Sequence, residues 1–573
     1  ELIARRLKAH GVRRFFGIPG GPSIPYLEAF RREGIDFVLT AHEASAAVMA
    51  DVTARLSGVT GVCHATYGPG AVNLASGVGG ALLDRSPLLA LTSELPREWR
   101  GRTTQMNIDH QALFRPLTKA TFRLTSDGAE EIITESLHIA NEEYPGPVHL
   151  GLPADLTGRS VAGVAGTRRK ASVAAETASS GTGAAGAGRN VAHAAGAGNN
   201  VTHAAGTCMS VSGRSDEDNK SSGSHPGNDD ERIRVLLASS KRPLLAVGLT
   251  AMRAGAGTLL LDFLEKCRVP VVVTPMAKGV ISSDHPCFAG VLFHALSDRL
   301  KRLTREADLV VGLGYDPVEY NYESWMPAVP LVHFDTVKSD PGIRGALSSA
   351  SPPSMWFEAL SVLSGSPDMI SVTRQVREEI SNLLREAAAD LNAVTVLSIL
   401  QDMLPPEAII TADVGSHLHL MGQLWKVPPA GRLIMTNGWS SMGFALPAAI
   451  AAAIERPDLP VVCVTGDGGL LMHAGEMMTA RRLGLGITVV VLSDGELNLI
   501  KIKESWKGMP AYGTRLYENT LFGTDAYLGT DVVHVTDAGA MRSAVSRAMN
   551  SRAGLIIEAA VDPSVYSELI VRS

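Results

Sequence analysis

The sequence predicts an α/β protein built from three doubly wound parallel sheets. Three observations lead there. Short β-branched and apolar runs, such as Val461–Thr465 and Ile487–Leu492, alternate with longer stretches of helical periodicity. The runs are apolar throughout, the pattern of strands covered on both faces. The alternation recurs in three separate blocks, and 573 residues are too many for one core.

Composition narrows the class. Hydrophobic residues make up 45% and charged residues 19%, a globular balance. A net charge of −6 without a long basic run argues against nucleic acid as a partner. No uninterrupted apolar run reaches membrane-spanning length. The cysteines (Cys63, Cys208, Cys267, Cys287 and Cys463) have neither paired nor metal-type spacing, which fits a reducing cytoplasm. The opening ELIARRLKAHGV reads as an amphipathic helix rather than a signal peptide. It starts at Glu1 without Met, so a short preceding piece is expected.

In residues 1–156, a strand ends at Phe15-Phe16-Gly17. Phe37–Thr40 leads through Ala41-His42-Glu43 into the helix EASAAVMADVTARLSG, whose Ala46, Ala47, Ala50 and Ala54 permit close packing. Gly61–Thr66 is the next strand, Tyr67-Gly68-Pro69-Gly70 opens another helix, and Leu88–Thr92 follows. Glu43 stands at a strand-to-helix junction among apolar neighbours, where burial disfavours the charged carboxylate. The plainer alternative is a helix-start acid favoured by the macrodipole.

Across residues 157–230 Ala, Gly, Ser, Thr and Asn dominate, and NVAHAAGAGN is nearly repeated as NVTHAAGTCM. Such a stretch cannot bury enough apolar surface to order itself, so a disordered linker is expected. Its His193 and His203 read as repetition, not as metal ligands. Residues 231–365 return to strand-like runs at Pro243–Gly248, Val269–Thr274, Asp308–Gly314 and Leu331–Asp335. Gly248 and Gly255 lack the spacing of a dinucleotide fingerprint.

The block from 368 onward carries the chemistry. A strand at Ile409–Thr411 leads to Gly415, Ser416 and His417, a group suited to diphosphate oxygens; a helix cap is the alternative. Val461–Thr465 runs into Gly466-Asp467-Gly468-Gly469, then a helix through Leu470, Ala474, Met477, Met478 and Leu483. The strand Ile487–Leu492 follows, closed by Ser493-Asp494-Gly495. A right-handed crossover makes these strands parallel neighbours. Asp467 and Asp494 then sit past their carboxyl ends, where open sheets bind ligands. Gly468 and Gly469 let a ligand approach the backbone closely, and two carboxylates suit Mg²⁺ shared with phosphate oxygens. The stretch reads as a Mg²⁺–diphosphate site, with a turn capped by Asp467 as the alternative.

GDG with an acid 27 positions on resembles the diphosphate–metal motif of thiamine-diphosphate enzymes, in the spacing of the acetolactate/acetohydroxyacid synthase group. His42-Glu43, GPGAVN and MGFALPAA resemble the same family. The resemblance implies a pyrimidine-binding domain at 1–156, a central Rossmann-like domain at 231–365 and a diphosphate-binding domain at 368–573. Glu43 would hold N1′ of the aminopyrimidine and promote its imino tautomer, with Pro69 and Asn73 against the ring. Ser440 would offer its carbonyl to the exocyclic amino group, and Met442 would be the wedge that bends the cofactor. The Glu496 carbonyl would be the third protein ligand of Mg²⁺. The segment ADLVVGLGYDPVEYNYESW resembles the branch without FAD, so no FAD is expected.

The implied activity is decarboxylation of a 2-oxo acid such as pyruvate, with carboligation to a second carbonyl. The implied assembly is a homodimer or homotetramer in which Glu43 of one copy faces the diphosphate site of another. A simple decarboxylase, another acyl transferase or lyase, and a catalytically idle homologue are the rivals. One departure bears on substrate: Lys503 stands where the resembled group carries Gln. At the group's other Gln position, Met106 is either a replacement or the result of a one-residue insertion after Gln105. Gln105, His110 and Gln111 are the neighbouring substrate-side candidates, each with a solvated loop as its alternative.

Overall fold

A computed structural model describes residues 1–99, 101–157, 226–388, 391–428, 432–551 and 553–570. Most of the expected linker, including His193, His203 and Cys208, lies outside the described residues. A helix at Pro226–Ser239 begins inside the linker's expected span.

Three sheets are present, as expected. The first joins β1 (Arg14–Gly17), β2 (Asp36–Leu39), β3 (Gly61–Ala65), β4 (Leu88–Glu94), β5 (Ala120–Arg123) and β6 (Pro147–Pro153) in the order β2-β1-β3-β4-β6-β5. The second joins β7 (Pro243–Val247), β8 (Val271–Val273), β9 (Phe288–Val291), β10 (Leu309–Leu313), β11 (Leu331–Asp335) and β12 (Leu347–Ala350) in the order β12-β11-β10-β7-β8-β9.

The third joins β13 (Ile409–Ala412), β14 (Arg432–Ile434), β15 (Val461–Gly466), β16 (Ile487–Ser493), β17 (Ala526–Tyr527), β18 (Thr530–Val535) and β19 (Leu555–Ala560). Its order is β14-β13-β15-β16-β19-β18-β17, and the β17–β18 pair is the antiparallel one. The register sets Thr411 beside Cys463 and Cys463 beside Val489. The carboxyl ends of β13, β15 and β16 therefore share one edge.

Small residues decide how the first and third sheets meet. The helices Glu43–Ser57 and Ala445–Glu455 are rich in alanine, so their backbones approach closely. Ala46, Ala47 and Ala50 share one buried core with Ala448, Ala449 and Ala452. A second core runs between the middle and third sheets, from Leu244 and Val310 to Val462 and Leu397.

The helix expected to run from Leu470 to Leu483 is two helices, Asp467–His473 and Glu476–Arg482. The break has a packing cause. A side chain at Gly475 would press on Ala41, and the buried Glu476 accepts the backbone N–H groups of Ala41 (2.9 Å) and His42 (3.1 Å). The tertiary contact overrides the periodicity. Among the described residues no helix is long and apolar enough to cross a membrane. The cysteines Cys63, Cys267, Cys287 and Cys463 are buried and free.

Candidate functional site

Three neighbouring strand ends converge on the third sheet. β15 is followed at once by Asp467, the first residue of a helix, so its carboxylate meets the orphan amides there. Oδ1 accepts the Gly468 N–H (2.7 Å). Oδ2 accepts the N–H groups of Asp494 (3.2 Å) and Gly495 (2.8 Å) at the end of β16, and the Tyr517 hydroxyl (2.8 Å). Asp467 thus ties the two strand ends together. Asp494 accepts the Glu496 N–H (3.1 Å). Burial and the adjacent charge of Asp467 push the Asp494 carboxyl up to about 7. Among the described residues neither aspartate is in an ion pair; the nearby Lys501 pairs with Glu496. Two adjoining carboxylates without a cation are a donor set that a divalent ion relieves.

β13 supplies the neighbouring part. His417 is buried, and burial pushes its imidazole down to about 4. Its Nε2 has no hydrogen-bond partner among the described residues, and buried polar groups are rarely left so. Gly466 lies beside the same ring: a Cβ added there would stand 3.6 Å from His417 Cε1. Gly415 precedes the helix Ser416–Leu424, whose first residue, Ser416, is buried. An anionic ligand would find a helix N-terminus, an unpartnered imidazole nitrogen and two carboxylates on one sheet edge.

The other expected residues are distributed unequally. Met442 and Gly468 meet: a Cβ at Gly468 would lie 3.0 Å from Met442 Cε. Gly469 differs from Gly468. A Cβ there would strike the Asp413 carboxylate and Thr465, so packing beneath the turn requires that glycine. Ser440 is exposed and has a φ of 52°, a strained value for a residue with a side chain.

Glu43, Asn73 and Pro69 gather on the first sheet. The Glu43 carboxylate is buried and accepts the Asn73 side-chain N–H (3.0 Å). Pro69 is the first residue of its helix and Asn73 lies one turn on. Among the described residues no hydrogen bond joins the Glu43 carboxylate to the Asp467–Asp494 turn; its neighbour His42 has its ring 5.8 Å from that of His473.

The loop candidates need correction. His110 is buried, not solvated: its Nδ1 bonds the Thr92 hydroxyl (2.9 Å), which in turn bonds His149 (2.7 Å). Gln111 donates to Glu94 (2.5 Å), which also pairs with Arg123. Glu94, His110 and His149 come within metal-ligand distance of one another, but the Arg123 contact puts a cation there already. Gln105 is exposed in a turn. Met106 lies on Gly68, whose φ of 69° and close approach to the Met106 carbonyl both require glycine. Lys503 lies near His419, which burial and this charge hold below its ordinary value.

Residue types alone did not reveal Tyr517 or Asp413. Tyr517 sits in a loop without a motif. Asp413 lies inside a stretch that did attract notice, but its role is internal: it accepts the N–H groups of Gly443 (2.8 Å) and Ala445 (3.2 Å).

Family models match three stretches of the chain. Residues 1–113 match the thiamine pyrophosphate enzyme N-terminal TPP binding domain, 231–344 the central domain, and 413–559 the C-terminal TPP binding domain. The chain is similar to the probable acetolactate synthase large subunit of Methanococcus aeolicus, 26% identical over 98% of this chain and 92% of that protein. It is also 26% identical to the acetolactate synthase isozyme 2 large subunit of Escherichia coli (strain K12), over 98% of this chain and 95% of that protein. The catabolic acetolactate synthase of Raoultella terrigena is 28% identical over 88% of this chain and 85% of that protein. With three models of one family falling on three different sheets, the chain belongs to the thiamine pyrophosphate enzymes and is a thiamine-diphosphate-dependent enzyme.

Proposed function

We propose that this enzyme decarboxylates a 2-oxo acid, pyruvate being the first candidate, and joins the retained acyl group to a second carbonyl, as an acetolactate synthase does. The observation that carries the reading is the pair Asp467 and Asp494, without a cation of their own, beside the unpartnered Nε2 of His417. These residues fit Mg²⁺ and a diphosphate. Thiamine diphosphate, when bound, supplies the electron sink for decarboxylation.

The chain's own residues then have separate tasks. Asp467, Asp494 and the Glu496 carbonyl hold Mg²⁺. Gly415, Ser416, His417, Gly468 and Gly469 surround the diphosphate. Glu43 holds a proton at the pyrimidine ring, Pro69 and Asn73 flank that ring, and Ser440 and Met442 set its orientation. Glu43 bonds within its own sheet region, which supports an assembly in which a second copy supplies the diphosphate half. A homodimer or homotetramer follows, with a small-molecule substrate and no nucleic-acid or membrane partner. The reading without FAD rests on the resemblance of the segment ADLVVGLGYDPVEYNYESW to the branch that lacks it.

The rival reading is a 2-oxo acid decarboxylase or another acyl transferase or lyase. Lys503 beside His419 favours it, because a cation there suits a different acceptor from the one a Gln would meet.

Calorimetric titration with thiamine diphosphate and Mg²⁺, followed by product analysis with pyruvate, tests the proposal. Binding and 2-acetolactate are expected. Acetaldehyde alone would remove the carboligase reading, and absent binding would favour an idle homologue. Glu43→Gln should keep cofactor binding and lower turnover by about 10²–10⁴-fold, the range for a lost proton-transfer group.

A further inference from the structure

The segment Asn437–Ala445, which carries Ser440 and Met442, is fastened at both ends by buried aspartates from different sheets. At its far end Asp413, just past β13, accepts the N–H groups of Gly443 and Ala445. At its near end Asp84, which caps the helix Pro69–Leu83 of the first sheet, accepts the N–H groups of Asn437 (3.3 Å) and Gly438 (3.1 Å) through Oδ1. Asp84 is 3% exposed, so its charge needs a partner.

Arg55 is that partner. Its Nη2 donates to Asp84 Oδ2 (2.9 Å) and to Asp51 (2.6 Å), its Nε to Asp51 (2.7 Å), and its Nη1 to the Met435 carbonyl (2.7 Å). The guanidinium also lies over the Phe444 ring, 5.6 Å from its centroid. One arginine from the helix that starts at Glu43 therefore touches the chain just before the segment and again near its far end. Gly438 permits the fit: a Cβ there would come within 2.6 Å of Leu83 Cβ and 2.8 Å of its carbonyl. Between the anchors, Ser440 keeps its φ of 52° while its hydroxyl donates to the Asn437 carbonyl (2.6 Å). A strained residue persists where its surroundings over-determine it.

We propose that Asp84 and Arg55 are positioning residues that fix Ser440 and Met442 relative to the first sheet, and so set the angle at which the cofactor ring is presented. The inference rests on the reading that Ser440 and Met442 meet that ring. Asp413 fixes the segment to the sheet that holds the diphosphate. Asp84 fixes it to the sheet that carries Glu43. In the proposed assembly the Glu43 of that sheet serves the second copy's cofactor, so the segment couples the ring end of one site to the sheet that completes the other. Loss of the Asp84 anchor should disturb the ring end and leave the diphosphate end in place.

The test uses the full chain and two variants, Asp84→Asn and Gly438→Ala. The first breaks the charge pair; the second pushes the segment, with its Gly438 N–H, off the helix end while leaving both charged groups in place. Each is measured for thiamine diphosphate affinity with Mg²⁺, for the melting temperature of the cofactor-free protein, and for deuterium exchange at C2 of the bound cofactor. That exchange requires no substrate.

In both variants exchange is expected to fall about 100-fold, as misplacement by about 1 Å implies, while affinity changes by less than about threefold. Exchange at the wild-type rate in both, with only the melting temperature lowered, would mean a purely structural contact and overturn the proposal. Wild-type protein that takes up no thiamine diphosphate would overturn the cofactor reading, and this proposal with it.

Discussion

The middle and third sheets place acids at the same topological position and treat them oppositely. Asp335 ends β11, and Asp494 follows β16, so both stand at the carboxyl end of a parallel strand. Asp335 is buried, yet hydrogen bonds from His333 and Tyr144 hold it below its ordinary value. Asp494 also accepts a hydrogen bond, from the Glu496 N–H, yet burial with the charge of Asp467 raises it to about 7. Asp316, three residues past β10, pairs with Arg85 at 2.6 Å. Glu319 accepts the N–H groups of Leu249 (3.1 Å) and Met276 (3.0 Å). What separates the two sheets is therefore not the supply of hydrogen-bond donors but charge: Asp316 has the Arg85 guanidinium, whereas Asp494 has the like charge of Asp467 beside it. Acids clamp chain segments on both sheets, Asp467 included; on the third the pair Asp467 and Asp494 has no ion-pair partner among the described residues and is left to be neutralised from outside.

The largest effect expected from this contrast is at the unrelieved pair. Asp467→Asn should weaken Mg²⁺-dependent thiamine diphosphate binding by at least about 100-fold, since even outer-shell changes cost 10–100-fold. Wild-type affinity in a calorimetric titration of that variant would erase the distinction between the sheets.

Arg85→Met probes the other side. It strands the buried Asp316 carboxylate, and breaking such a pair costs about 3 kcal/mol or more. Urea unfolding should show the loss, while cofactor affinity of the folded fraction stays unchanged. A stable variant with weakened cofactor binding would place Arg85 in the site instead.

The most gradual effect is a pH slope. Burial, helped by the charge of Asp316, pushes Glu319 up to about 8, despite hydrogen bonds that favour its charged form. Between the ordinary glutamate value and pH 8 the folded state therefore holds a proton that the unfolded chain has released. Stability contributed by this group falls as pH rises through that window, by at most about 1.4 kcal/mol per pH unit. Glu319→Gln should flatten the slope in thermal unfolding measured from pH 5 to 8. An unchanged slope would show that Glu319 is ionised throughout.

The sites of chemistry were legible where they depend on local order. Asp467 and Asp494 could be placed at strand ends because each follows an unbroken apolar run, and β15 and β16 are neighbours as the crossover rule requires. Glu43 was visible at its junction for the same reason. The break at Gly475 was not visible, because its cause is the turn at Ala41 and His42, in a different sheet and at the other end of the chain. The burial of His110 was equally hidden. Its surroundings come from β4 and β6, through Thr92 and His149.

The amino-acid order alone placed the strands that lead to the candidate site, β1 to β4, β13, β15 and β16, with the acids and glycines at their ends; β5, β6, β9, β12, β14 and β17 to β19 were not read from it. Periodicity and turn chemistry act over a few residues, and they suffice for that. Only the tertiary structure decided which acids are already satisfied. The donors come from far along the chain: Arg85 for Asp316 and Tyr144 for Asp335. The anchors of the segment Asn437–Ala445 are as distant, with Arg55 and Asp84 reaching it from the first sheet. Electrostatic neutralisation depends on distance in space, and no local pattern records it.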